Sequence, residues 1–160
     1  MATIKRSGHQ IKKRLLEYME NERYLDNQIE RLRALESKMY SIGSPELSDM
    51  PKGSMVIKDR IGSMVAKKEE IENEIGDLIV RQNSERVWVH SVLEKMTRYD
   101  EKAIIQIRYL DGNSWTKVAE HMYGKREDFD ERRESYLRQC TRIHSRALQS
   151  IMAIVRKWHM

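Results

Sequence analysis

The feature that most constrains the fold is an apolar residue at every seventh position between His9 and Ile42. The series comprises Ile11, Tyr18, Leu25, Leu32 and Met39, with Leu15, Ile29, Leu35 and Ile42 on or near the same face. A seven-residue repeat places its members along one stripe of an α-helix, and charged or amide side chains fill the remaining positions. Neither Pro nor Gly interrupts the run, so the sequence predicts one long helix over about residues 9–42.

A second heptad series follows a turn-rich segment. Gly43 stands where a helix-ending glycine is favoured, and the stretch from Gly43 to Met55 holds both prolines, so it is predicted to be a loop in which Leu47 and Met50 pack against the helix ends. The second helix is predicted over about residues 56–96. One heptad position holds Ile57, Met64, Ile71, Leu78 and Val92, and the other holds Ile61, Ile75, Val89 and Met96. Gly62 and Gly76 weaken this helix by up to about 1 kcal/mol each relative to Ala, and they either permit close helix approach or mark bends.

Two long heptad helices joined by a short loop are typical of an antiparallel hairpin. The predicted fold class is therefore all-α, with a coiled-coil-like hairpin domain over residues 1–98 and a second domain over residues 99–160. The heptad stripes leave two interpretations open. They are either internal core alone, or also a surface through which two chains form a homodimer.

Composition narrows the class of protein. Charged residues make up 34% of the chain, which is typical either of disorder or of solvent-exposed helices, and the apolar periodicity favours helices. The net charge of +5 suits a polyanionic partner. The single cysteine, Cys140, predicts a reducing, cytoplasmic setting, and neither a signal peptide nor a membrane span is expected.

After Met96 the pattern changes to shorter helices. Asp100 is predicted to cap a helix that begins at Glu101 and ends at Asp111-Gly112-Asn113, and Ser114 to cap a helix over 115–122. A longer last helix is predicted from Asp130 or Glu131 to Lys157. This succession is the plan of a helix-turn-helix DNA-binding unit. Ala119 falls where two crossing helices approach closely, which favours a small side chain.

The last helix also concentrates positive charge. Residues 132–160 contain seven Arg or Lys and one acidic residue, Glu134, for a net +6. Arg138, Arg142 and Arg146 recur every four residues on the face opposite Ile143, Ala147 and Ile151. An arginine stripe opposite a core stripe suits entry into a DNA major groove, whereas the alternative is a solvated basic face without a ligand.

The stretch "YDEKAIIQIRYLDGNSWTKVAEHMYG" with the later "YLRQCTRIHSRALQSI" resembles region 4 of bacterial sigma factors. It is more closely similar to the RinA/ArpU-type late transcription regulators of phages and mobile elements in Firmicutes. The N-terminal half resembles the same group through "IERLRALESKM", "LSDMPKG" and "DRIGSMVAKKEEIENEI". The resemblance implies a transcription regulator that binds double-stranded DNA in a bacterial cytoplasm, with RNA polymerase as a candidate further partner.

The resemblance also implies the residues that bind DNA. They are Ser114 and Lys117 from the first reader helix, and Arg133, Ser135, Tyr136, Arg138, Gln139, Arg142 and Arg146 from the recognition helix. Region 4 joins these two helices by a tight turn, whereas here Lys125–Glu134 lies between them. This insert either forms a longer loop or extends the recognition helix, and its acidic residues would repel phosphates if they faced DNA.

Other kinds of site are not expected. Cys140 and His144 have the spacing of two metal ligands on a helix, but core packing is the favoured interpretation, and no metal, cofactor or enzymatic activity is predicted. Two alternative functions remain. One is a DNA-packaging adaptor of the small-terminase type, which would assemble into rings, and the other is a helical protein-interaction module.

Overall fold

A computed structural model describes residues 2–43 and 54–159 of the chain, with side chains for 8–42 and 58–159. Every regular element in these ranges is helical, as the sequence predicts. In order they are α1 (Ala2–Gly43), α2 (Ser54–Lys95), α3 (Tyr99–Ile105), a π-helical turn (Gln106–Leu110), α4 (Trp115–Tyr123) and α5 (Arg133–Trp158). Most of the predicted loop, including Leu47 and Met50, lies outside the described residues. None of the helices within the described ranges has the length and apolarity needed to cross a membrane.

The chain divides by its internal contacts into two compact units. The first combines residues 1–20 with residues 84–160, and the second is residues 21–83. The predicted domain boundary between residues 98 and 99 remains a prediction. The contact units differ from it because residues from both ends of the predicted hairpin pack with the last helices.

In the second unit, α1 and α2 contact each other along their heptad positions. Leu25, Leu35, Ile71 and Leu78 are buried. Polar contacts pair Glu22 with Gln82, Tyr24 with Glu74, and Glu36 with Lys68. Residue numbers increase along α1 as they decrease along α2, so the two helices are antiparallel where they contact each other. Buried Gln82 donates to the Glu22 carboxylate at 3.1 Å, which satisfies a polar group inside this unit.

The heptad prediction does not hold throughout α2. The heptad pattern predicts a core position for Ile61, yet 37% of its surface is exposed. Ile75, at the same heptad position, is only partly buried. The straight α-helix has 3.6 residues per turn, so a strict seven-residue series drifts around the helix and its distant members leave the buried stripe.

The first unit has a core built from five helical segments. Leu15 and Tyr18 of α1 and Val92 of α2 belong to one buried cluster with Tyr109 of the π turn and Ile151 of α5. At its edge, the Arg14 guanidinium donates two hydrogen bonds to the Glu85 carboxylate, at 2.8 and 2.9 Å, and lies 3.8 Å from the centre of the Trp88 ring. This fork-like pairing ties the beginning of α1 to the end of α2.

The ends of the shorter helices follow local side-chain chemistry. Ser114 caps α4 as predicted, since its Oγ accepts a hydrogen bond from the Lys117 amide at 3.4 Å. The capping prediction for Asp100 is wrong in register, because α3 begins at Tyr99 and the residue before it is Arg98. Asp100 instead lies within the first turn, where its carboxylate accepts from the Glu101 amide at 2.8 Å. Acidic groups are stabilised there by the unpaired amides of a helix N-terminus.

Candidate nucleic-acid interface

The position of α5 is set by a second buried cluster in the first unit. Ile104 of α3, Val118 and Ala119 of α4, and Cys140 and Ile143 of α5 belong to it. Ala119 is fully buried, in agreement with the small residue expected where helices cross. Burial raises the pKa of the Cys140 thiol. Because this side of α5 faces the core, the opposite side faces outward.

The outward side, here called the α5 outer face, contains residues of the predicted recognition helix. They are Ser135, Arg138, Gln139, Arg142 and Arg146. Arg138, Gln139 and Arg142 are exposed, and within the described part of the chain neither the Arg138 nor the Arg142 guanidinium has a hydrogen bond or an ion pair. Two arginines on one helix face therefore remain available to an external anion or to base edges.

Arg146 differs from the other arginines of this face. Its guanidinium lies 3.2 Å from the Asp100 carboxylate at the beginning of α3, in a pair that is roughly half exposed. The pair borders an open groove of 640 Å³ between α5 and the two preceding helices. Ser135, Gln139 and Arg142 also line this groove, together with Tyr123 at the end of α4. The structure thus brings four of the predicted recognition residues to one concave surface.

Three other predicted residues have local partners instead. The Ser114 hydroxyl is engaged in capping α4, and the Lys117 ammonium lies 2.8 Å from the Glu120 carboxylate. That ion pair lowers the pKa of Glu120, chiefly through the hydrogen bond from Lys117. Arg133 lies 3.2 Å from Asp130 and 5.5 Å from the centre of the Phe129 ring. Both ion pairs are between neighbouring residues at the surface, where such pairs are weak and exchange readily.

Tyr136 is the predicted site residue that the structure places inside the protein. Only 5% of its surface is exposed. Its ring stacks between Tyr123, with ring centres 4.7 Å apart, and Phe129, at 5.9 Å. Its hydroxyl donates to the Asp128 carboxylate at 2.8 Å, which raises the pKa of Tyr136 and lowers that of Asp128. Tyr136 is therefore part of the buried cluster beneath α5 and not part of the α5 outer face.

The segment between α4 and α5 is a series of hydrogen-bonded turns over residues 124–132, and α5 begins only at Arg133. Of the two alternatives for the insert, the longer loop is therefore the observed one. Phe129 anchors it, with 6% of its surface exposed. Sequence reasoning missed this anchor, although the one Phe of the chain inside a run of charged residues was an available signal.

Two of the four acidic residues of this segment have basic neighbours. Asp128 lies 3.2 Å from Arg132, and Asp130 lies 3.2 Å from Arg133. The hydrogen bond from Tyr136 is the largest cause of the lowered pKa of Asp128, followed by the hydrogen bond from Arg132. Two of the carboxylates expected to repel phosphates are thus partly compensated, one by Arg132 of the segment and one by Arg133 at the start of α5.

Cys140 and His144 are both buried, and they contact different neighbours. His144 Nε2 lies 2.8 Å from the Tyr109 hydroxyl, and its ring meets the Trp115 ring edge-on at 4.9 Å. Burial lowers the pKa of His144 to about 4. Among the residues with described side chains, no three His, Cys, Asp or Glu residues cluster as metal ligands would.

Comparison of the chain with protein-family models, with curated proteins and with solved structures finds no match.

Proposed function

We propose that this protein is a sequence-specific regulator that binds double-stranded DNA, with the α5 outer face in the major groove. The observation that carries the proposal is the pair of exposed guanidinium groups, Arg138 and Arg142, on the side of α5 opposite its buried face. A guanidinium can donate two parallel hydrogen bonds to guanine, and a glutamine such as Gln139 can pair similarly with adenine. These side chains have the chemistry for direct reading of bases.

In this proposal α4 and α5 are the two helices of a helix-turn-helix, and residues 124–132 are an enlarged turn. Its anchoring through Phe129 and Tyr136 fixes where α5 begins. Lys117 and Arg133 would then contact phosphates on either side of the groove, because exposed ion pairs exchange readily for a phosphate. The pair of long helices, α1 and α2, forms the antiparallel hairpin.

The regulatory role rests on the resemblance to RinA/ArpU-type regulators described above. By this resemblance, the protein would regulate transcription of a phage or mobile element. RNA polymerase is the candidate protein partner. The net charge of +6 over residues 132–160 agrees with a polyanionic ligand at this end of the chain.

Selection from a random library of double-stranded DNA with the purified protein tests this function. A recurrent sequence motif is the expected result, and the protein should bind it at least about a thousandfold more tightly than random DNA at physiological salt. Equal affinity for selected and random DNA across a salt titration would contradict the proposal.

The same binding measurement tests the residues. Arg138→Ala combined with Arg142→Ala should weaken binding to the selected site by about tenfold or more, since each bidentate base contact contributes roughly 1–3 kcal/mol. Arg23→Ala combined with Arg60→Ala is the matched control. It removes the same charge from exposed positions on α1 and α2 and should leave the preference for the selected site intact. Equal losses in the two double variants would show that only total charge matters.

A further inference from the structure

One side of α2 carries exposed apolar side chains that do not face α1. In the second unit, Ile61, Val65, Ile79 and Val80 are 37%, 48%, 44% and 75% exposed. At 3.6 residues per turn they fall within a sector of about 100°, together with Gly62 and Gly76. We call these six residues the α2 stripe.

The stripe is distinct from the side of α2 that packs on α1. Ile71 and Leu78, which are buried against α1, fall roughly 130° around the helix from the stripe. The burial of those residues therefore leaves the stripe uncovered. Side chains of this size are normally exposed singly, and their recurrence along one helix side makes this side a candidate surface for binding another molecule.

The two glycines leave gaps between the side chains of the stripe. A Cβ added at Gly62 or Gly76 would meet nothing within 4 Å in the described structure. Each glycine thus leaves a notch beside a larger side chain, Val65 beside Gly62 and Ile79 beside Gly76. The notches are about 21 Å apart, because the glycines are 14 positions apart at about 1.5 Å per residue. Two apolar side chains at corresponding positions of a facing helix fit these notches.

The middle of the stripe is acidic. Glu69 and Glu72 fall in the same sector, between Val65 and Gly76, and both are exposed. A second copy of the stripe would bring these carboxylates against their counterparts, and like charges that face each other are destabilising. A basic side chain there would instead be attracted from both sides. Lys68, which lies 3.4 Å from Glu36 of α1 and 3.6 Å from Glu72, shows the pairing that such a residue would make, and among the described residues Glu69 has no basic partner of this kind.

We infer that the α2 stripe is the docking surface for an amphipathic helix of another protein, one with apolar residues about two heptads apart and Lys or Arg between them. Recognition would follow the helix-in-groove mode, in which apolar anchors supply affinity and charges set the register. The inference is independent of DNA binding, since all residues involved lie on the second unit and none belongs to the α5 outer face.

Two synthetic helical peptides test the inference against the full chain. One has leucines at both ends of its apolar face and lysines between them, and the other has glutamates in place of the lysines. Fluorescence anisotropy should show that the lysine peptide binds at least about tenfold more tightly than the glutamate peptide, because two ion pairs are replaced by two repulsions. Equal binding of the two peptides would overturn the inference.

Charge reversal on the protein should invert that preference. Glu69→Lys combined with Glu72→Lys is expected to bind the glutamate peptide more tightly than the lysine peptide. The matched control, Glu70→Lys combined with Asp77→Lys, changes the net charge equally on a different side of α2 and should keep the original preference. If the control variant reverses its peptide preference as fully as the test variant, the effect is one of general charge. That result would contradict the inference of a defined site.

A steric variant tests the contribution of the notches to peptide binding separately from that of the charge. Gly76→Leu fills one notch, and leucine favours helix, so the variant should stay folded while binding of the lysine peptide falls about tenfold. Unchanged binding would contradict the inference. Sedimentation equilibrium tests the alternative occupant: if the wild-type chain forms a dimer that Val65→Asp with Ile79→Asp dissociates, the stripe binds a second copy and the inference is wrong.

Discussion

Among the individual residues, Tyr109 and His144 form a buried hydrogen bond in the first unit. Both side chains are buried, and their hydrogen bond satisfies groups that would otherwise lose their contacts with water. Burial lowers the pKa of His144 to about 4 and raises that of Tyr109 to about 12. Both side chains are therefore neutral over the physiological pH range.

This burial predicts a pH dependence of stability. Between pH 6.5, the ordinary pKa of histidine, and about 4, the unfolded chain binds a proton at His144 that the folded chain does not. The free energy of unfolding should therefore decrease as the pH falls through this window, by up to about 1.4 kcal/mol per pH unit. Urea denaturation over this pH range measures the slope. His144→Gln keeps an acceptor for the Tyr109 hydroxyl and should have a shallower slope than the wild type.

Replacement of an exposed histidine serves as the control. His90 is exposed on α2 and shares no contact with Tyr109. His90→Gln should retain the wild-type slope, since it leaves the buried His144 side chain and its contacts unchanged. If His144→Gln and the wild type lose stability in parallel on acidification, His144 is not the group that carries the effect.

Asp100 is predicted to restrain DNA binding at the edge of the groove. Its carboxylate holds Arg146 and places a negative charge where phosphates would approach. Asp100→Asn keeps an oxygen for the Glu101 amide but removes that charge, so affinity for random DNA should rise severalfold. Stability should change by no more than about 1 kcal/mol, since the ion pair is partly exposed.

Binding of random DNA measured by fluorescence anisotropy checks this prediction. Asp111→Asn makes the same change in charge at an exposed position that does not line the groove. It should raise the affinity less than Asp100→Asn does. An equal increase would mean that the gain comes from net charge alone and that the pair with Arg146 has no part in it.

Among the elements, the segment of turns before α5 contributes one buried apolar side chain, Phe129, to the core. Phe129 packs in the cluster that also contains Tyr123 and Tyr136, so the segment is anchored to the helices it connects. Phe129→Ala should lower the free energy of unfolding by roughly 3–5 kcal/mol, the usual cost of removing a buried Phe. Urea denaturation measures it. Lys125→Ala, an exposed change in the same segment, should cost less than about 0.5 kcal/mol.

The elements also show what the sequence can and cannot predict. The cap at Ser114 and the buried position of Ala119 were predictable because each depends on neighbouring residues. The burial of Tyr136 was not, because it depends on Asp128 and Phe129, which reach it through an irregular series of turns. Helical spacing indicates which residues share a face of α5. It does not indicate that a neighbouring segment covers the edge of that face.

The π-helical turn and the end of α2 are two further features that helical spacing does not predict. The sequence predicts one helix up to Asp111, whereas the Asp111 amide bonds to the carbonyl of Gln106, five residues back, and the helix widens there. Apolar spacing does not distinguish these two hydrogen-bond patterns. It also does not show which helices share a core, and the folded chain is needed to place Val92 of α2 and Ile151 of α5 in one buried cluster.

Over the whole molecule, positive charge is distributed unevenly. The chain has a net charge of +5, while residues 132–160 alone carry +6, so the remaining residues are close to neutral in sum. A polyanion would therefore be attracted mainly to the last helix. The α2 stripe, with Glu69 and Glu72, has the opposite local charge. The two proposed interfaces consequently favour ligands of opposite sign, which reduces competition between them.

This distribution predicts how the full chain responds to salt. Each phosphate contact lowers the slope of log affinity against log salt by about 0.9. If Lys117 and Arg133 contact phosphates, Lys117→Ala combined with Arg133→Ala should make the slope shallower by about 1.8 and weaken binding to all sequences alike. Arg23→Ala combined with Arg60→Ala should leave the slope unchanged. Anisotropy titrations with selected and random DNA at several salt concentrations measure both quantities. An unchanged slope with a relaxed sequence preference would assign Lys117 and Arg133 to base reading and reverse the docking orientation proposed for α5.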